Sequence, residues 1–116
     1  MRSPFKTTFR GRSKPGTMNK TEAAYGDRLE LQRSAGEVLW YRYEGITLKL
    51  AQDTRYTPDF VVMNREGILE CHEVKGFWRD DAKVKIKVAS SIYPFIFIAV
   101  KMKPKKDGGG WEVETF

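Results

Sequence analysis

The chain has 116 residues, of which 31% are charged, and a formal net charge of +6. That length supports one hydrophobic core and excludes two independent domains, and no apolar run approaches the ~20 residues that span a bilayer. A lone cysteine, Cys71, excludes an internal disulfide and a cysteine-based zinc site; with no signal-type apolar segment near the N terminus, the expectation is a soluble cytoplasmic protein.

The charge is placed unevenly. Arg2, Lys6, Arg10, Arg12, Lys14 and Lys20 precede the first acid, Glu22, and the remaining 15 cations match the 15 acids. The whole net charge therefore sits on a segment that also carries Pro4, Gly11, Pro15 and Gly16 and has little to bury. Residues 1–18 are expected to form a disordered basic arm, and residues 19–116 a single domain. A short basic arm attracts phosphates and releases counterions, so it reads as a nucleic-acid contact, with a merely solubilising tail as the alternative.

A helix is predicted from Asn19 to Ala35, capped by Asn19 and stopped by Gly36. Glu22 lies three residues after the cap, where it suits a capping box. It also shares a helical stripe with Tyr25 and Leu29, which directs a carboxylate toward the sheet. The spacing leaves both readings open. Strands are expected at Val38–Glu44 and Ile46–Ala51, then a hairpin of Tyr56–Met63 and Ile68–Lys75 around Asn64-Arg65-Glu66-Gly67. Ala82–Ile92 alternates like a strand through Val84, Ile86 and Val88. It is read as a helix because Asp80-Asp81 suits a helix start and a crossover is needed there. Phe95–Val100 is a strand covered on both faces, and a glycine loop at 108–110 leads to a last strand, Trp111–Phe116. The order is that of an α/β sandwich with a mixed sheet.

The hairpin carries the chemistry. Pairing Met63 with Ile68 makes paired numbers sum to 131, so Asp59 falls beside Glu73 within a residue or two. Glu73 and Lys75 project from one face about 7 Å apart, with Cys71 on that face and Val74 on the other. Two uncompensated carboxylates repel, a cost that a divalent cation removes while supplying a Lewis acid. The competing reading is a solvated strand end with a surface Glu–Lys pair. His72 points away from Glu73 and is expected on an outer polar face, without a catalytic role.

Tyr56-Thr57-Pro58-Asp59-Phe60, Glu73-Val74-Lys75-Gly76-Phe77-Trp78 and Asp80-Asp81 with Lys83 just beyond resemble the P-D…(D/E)-x-K nuclease superfamily. The narrower resemblance is to phage junction-resolving endonucleases, which cut four-way DNA. It covers roughly Asn19 to Val100. The resemblance implies a restriction-endonuclease-like αβββαβ core and an active site of Glu22, Asp59, Glu73 and Lys75. It also implies a homodimer whose two sites cut opposing strands, and products with 5′-phosphate and 3′-hydroxyl ends. On that reading Asp59, Glu73 and the Val74 carbonyl hold Mg²⁺ or Mn²⁺, with Glu22 serving a second ion or its water shell. Lys75 orients the nucleophile, the arm grips branched DNA, and Lys83 and Lys87 are candidate phosphate contacts. Phe77 and Trp78 either stack on a base or fill the core. Neither a membrane nor a small-molecule cofactor enters this reading. The connection from Glu44 to Arg55 lies where relatives exchange strands between subunits. Nicking, flap-cutting or restriction-like nucleases, and a non-catalytic nucleic-acid-binding protein, are the alternatives.

Overall fold

Asn19 and Glu22 start the first helix by a reciprocal pair of hydrogen bonds in the structure, a computed structural model that describes residues 17–75 and 80–116. The Glu22 amide donates to Asn19 Oδ1 at 2.8 Å, and the Asn19 amide donates to Glu22 Oε1 at 3.0 Å. Two of the helix's orphan donors are thereby satisfied. Helix α1 runs over Lys20–Ser34 and buries Glu22, Tyr25, Gly26 and Leu29 along one stripe. It ends as predicted: Gly36 takes φ +83°, its amide donates to the Arg33 carbonyl, and the Glu37 amide reaches back to Gln32, a Schellman closure.

Among the described residues, seven strands and a second helix follow α1: β1 (Val38–Tyr43), β2 (Leu48–Ala51), β3 (Thr54–Tyr56), β4 (Phe60–Asn64), β5 (Leu69–Lys75), then α2 (Asp80–Ile92), β6 (Ile96–Met102) and β7 (Trp111–Thr115). Five strands form one sheet in the order β1-β4-β5-β6-β7, and β2 with β3 forms a separate ribbon. The β5–β6 pair is parallel and the other ladders are antiparallel, so the sheet is mixed. Helix α2 makes the crossover that a parallel pair requires.

Two expectations need correction. The predicted strand Tyr56–Met63 is interrupted at Thr57-Pro58-Asp59: Tyr56 closes the ribbon, and pairing with β5 starts at Phe60. Pro58 has no amide to donate to a ladder, which suits it to the break. The register of the hairpin also slips by one. Met63 pairs with Leu69, and Phe60 with His72, because Asn64 takes the turn for itself. Its side-chain oxygen accepts from the amides of Glu66 and Ile68 at 3.0 Å each, while its own amide donates to the Ile68 carbonyl.

The sheet is packed on both faces. Tyr25 and Leu29 of α1 meet Val38, Phe60, Val62, Val74 and Val100 on one. Ile86 and Ala89 of α2 meet Leu48, Tyr56, Cys71 and Phe97 on the other. The helix reading of 82–92 holds although the apolar residues alternate: Ile86 is buried, whereas Val84 and Val88 stay exposed. No helix among the described residues is long and apolar enough to cross a membrane. The basic arm, through Arg2, Lys6, Arg10, Arg12 and Lys14, lies outside the described residues, as do Phe77 and Trp78.

Candidate active site

Where β4 begins, Asp59 stands one residue before the ladder partners Phe60 and His72. The same register places it across from Glu73, as the sequence predicted. The Asp59 backbone carbonyl accepts from the Glu44 amide at 2.7 Å, and its Oδ2 accepts from the Val74 amide at 2.8 Å. These two hydrogen bonds fix main chain and side chain together. Glu73 is clasped at both oxygens: the Tyr56 hydroxyl donates to Oε1 at 2.7 Å, and Lys75 Nζ lies 2.8 Å from Oε2. Asp59 and Glu73 are 4% and 7% exposed and the Lys75 side chain 23%, so the Glu73–Lys75 pair is not a solvated surface pair.

Burial and the neighbouring Glu73 carboxylate push the Asp59 pKa well above its ordinary value, with a smaller contribution in the same direction from Glu22; the Val74 amide and Lys75 oppose the shift. Asp59 thus feels the charges of Glu22, Glu73 and Lys75. The raised pKa has a direct consequence for stability. Below the ordinary carboxyl pKa of 3.8 the group is protonated folded or unfolded and costs nothing. As pH climbs from there through the folded pKa, ionising it in place costs stability. Asp59→Asn is therefore expected to unfold at the same temperature as the parent near pH 3.5 and at a higher one at neutral pH, read by thermal melts in EDTA. Each kcal/mol regained corresponds to roughly 4–8 °C in a domain of this size. An equal shift at every pH would contradict this origin.

Glu22 enters from α1. Besides its capping role, its Oε1 accepts from the Tyr43 hydroxyl at 3.0 Å, so both readings of its position describe one side chain. Among the described residues no three His, Cys, Asp or Glu side chains come close enough to hold one ion. What the hairpin can offer a cation is two carboxylates and a backbone carbonyl at Val74. Hard oxygen donors in this number suit Mg²⁺ or Mn²⁺, which keep several of their waters.

Of the candidate phosphate contacts, Lys20, Lys83 and Lys87 fall among the described residues. Lys20 and Lys87 are exposed, and Lys83 Nζ is 3.9 Å from Glu114 Oε2.

His72 corrects another expectation. It points away from Glu73 as parity requires, yet that face is covered by α1 and His72 is 6% exposed. Its Nδ1 lies 2.7 Å from the Tyr25 hydroxyl and its Nε2 lies 2.7 Å from Glu70 Oε1. Asn64 Nδ2 donates to the other Glu70 oxygen. His72 above all, with Asn64 adding, holds Glu70 below the usual carboxylate range against the opposing effect of burial. Cys71 is buried in the α2-side core as expected, and burial lifts its thiol to about 12, which leaves it unreactive.

The tyrosines were missed from sequence. Tyr43 and Tyr56 each bind a candidate catalytic carboxylate, and the signal was that a buried phenol needs a partner for its hydroxyl. Comparison with family models, with curated proteins and with solved structures found no match.

Proposed function

We propose that this chain is a metal-dependent endodeoxyribonuclease of the P-D…(D/E)-x-K type, hydrolysing phosphodiester bonds in branched DNA as a four-way junction resolvase. The observation that carries the reading is the buried meeting of Asp59 with Glu73, whose carboxylate lies 2.8 Å from Lys75 Nζ. Leaving out the β2–β3 ribbon, the element order is α1, three strands, α2, one strand, then β7; that order supports a restriction-endonuclease-like core.

In this reading Asp59, Glu73 and the Val74 carbonyl hold Mg²⁺ or Mn²⁺. A bound divalent cation supplies Lewis acidity at the phosphate and makes water more acidic. Lys75 orients the attacking water and offsets charge that grows on the phosphate. Glu22 serves a second ion or its water shell from the start of α1. The basic arm, with Lys20, Lys83 and Lys87, draws in the DNA backbone, and a homodimer presents two such sites to opposing strands.

The decisive experiment incubates the protein and Mg²⁺ with labelled four-way, flapped, linear duplex and single-stranded DNA. The four-way substrate is expected to be cut fastest, at paired symmetric positions, leaving 5′-phosphate ends. Lys75→Ala is expected to lower the single-turnover rate about 10²–10³-fold, the usual effect of removing a group that stabilises transition-state charge. Tight binding without cleavage would instead favour a non-catalytic binding protein, and preference for flaps or linear duplex would change the substrate.

A further inference from the structure

We infer that Tyr56 is a positioning residue of the active site, acting through Glu73: its buried phenol fixes the carboxylate plane in which Glu73 meets a cation. The inference rests on the reading of Glu73 as a cation-holding carboxylate. Tyr56 belongs to neither strand of the catalytic hairpin. It closes β3, in the ribbon inserted between β1 and β4, and reaches Glu73 from a segment that the bare superfamily motif does not include.

Three features make the contact directional. Glu73 Oε1 takes the Tyr56 hydroxyl at 2.7 Å while Oε2 faces Lys75 at 2.8 Å. With each oxygen held by a different donor, rotation about the last side-chain bond is arrested. Tyr56 itself is 8% exposed and packs with Leu48, Cys71, Ile86, Ala89 and Phe97, so its ring has no room to swing. The ribbon behind it is fastened as well: the Tyr93 hydroxyl donates to the Lys49 carbonyl at 2.7 Å, and Lys85 Nζ donates to the Arg55 carbonyl at 3.3 Å. Helix α2 is thereby tied to the ribbon, and the ribbon to the carboxylate.

The chemistry of the donor matters too. A phenol is a neutral donor, so its hydroxyl holds the carboxylate oxygen without bringing a charge to it. A neutral donor orients Glu73 without cancelling its charge, which a second ammonium would do.

Tyr56→Phe keeps the ring and removes only the hydroxyl. The expected result is a fall of about 10-fold in kcat and in Mn²⁺ affinity by calorimetry, the usual size for losing a partner of a metal-ligating side chain. KM for DNA is expected to stay within twofold. Val38→Ala, in the core on the α1 side and away from Tyr56, lowers stability without touching Tyr56 or Glu73 and is expected to leave kcat and Mn²⁺ affinity unchanged when the protein is folded. Equal losses in Val38→Ala would overturn the inference by tracing the effect to lost stability. Asp59→Asn separates the levels. If it loses Mn²⁺ while Tyr56→Phe binds and cleaves like the parent, only the role of Tyr56 falls. If Asp59→Asn binds Mn²⁺ as the parent does, the metal-site reading falls and the inference with it.

Discussion

Asp59→Asn is expected to lower Mg²⁺-dependent cleavage of branched DNA by about 10³-fold or more, a loss of several kcal/mol of transition-state stabilisation. Asparagine can still accept the Val74 amide, so the start of β4 is preserved. On the proposed reading, what disappears is one of the two carboxylates that would hold the cation, and Glu73 alone would not replace it. DNA binding measured with Ca²⁺ is expected to change little, because the arm and the surface lysines are untouched. Single-turnover cleavage on the four-way substrate gives the rate, and filter binding gives the affinity. A variant within tenfold of the parent would remove Asp59 from the site. Together with the thermal result argued above, the substitution trades activity for stability, as expected when a buried charge is kept for function.

The largest structural effect is expected from the next residue. Phe60 is fully buried beneath α1, with ring centroids 5.7 Å from Tyr25, 6.5 Å from Tyr41 and 5.3 Å from Tyr43. Phe60→Ala removes the ring around which three others are arranged and leaves a cavity that a helix and two strands cannot close without moving. The expected cost is about 3–5 kcal/mol, a large part of the roughly 5–15 kcal/mol that holds a domain of this kind together. Urea unfolding should show a lower midpoint with an unchanged slope. A cost under about 1 kcal/mol would mean that the neighbouring rings collapse into the space, contrary to the close packing of cores. Tyr25 and Tyr43 lean on this ring and also hold His72 and Glu22, so activity should fall along with stability.

The hairpin that carries Asp59 and Glu73 was legible because its information is local. A turn cluster and period-two alternation set the register to within one residue, and the slip that occurred came from a side chain, Asn64, bonding its own turn. The cap and stop of α1 were legible for the same reason. What alternation cannot reveal is what covers each face of a strand. His72 looked outward only because nothing nearby in sequence announces that Tyr25, 47 residues away, comes to rest on it. The break at Thr57-Pro58-Asp59 was hidden likewise: Tyr56 and Phe60 both read as strand residues, yet the first pairs with Leu48 and the second with His72. The clasp on Glu73 follows from that break, since it is the ribbon that delivers Tyr56. Long-range polar contacts depend on how the layers are stacked, and one chain segment does not encode them.

The reciprocal cap at the start of α1 makes Glu22 subject to two pressures at once. One carboxylate closes the first helical turn through the Asn19 amide and also contributes to the field around Asp59. Mutational tolerance at this position should therefore be unusually narrow. Alanine loses the side-chain half of the cap and the charge together, and aspartate is too short to reach back to the Asn19 amide. Glutamine keeps an acceptor of the right length while discarding the charge. Position 22 thus offers a clean separation of folding from chemistry to glutamine alone, whereas an alanine scan would merge the two effects into one loss.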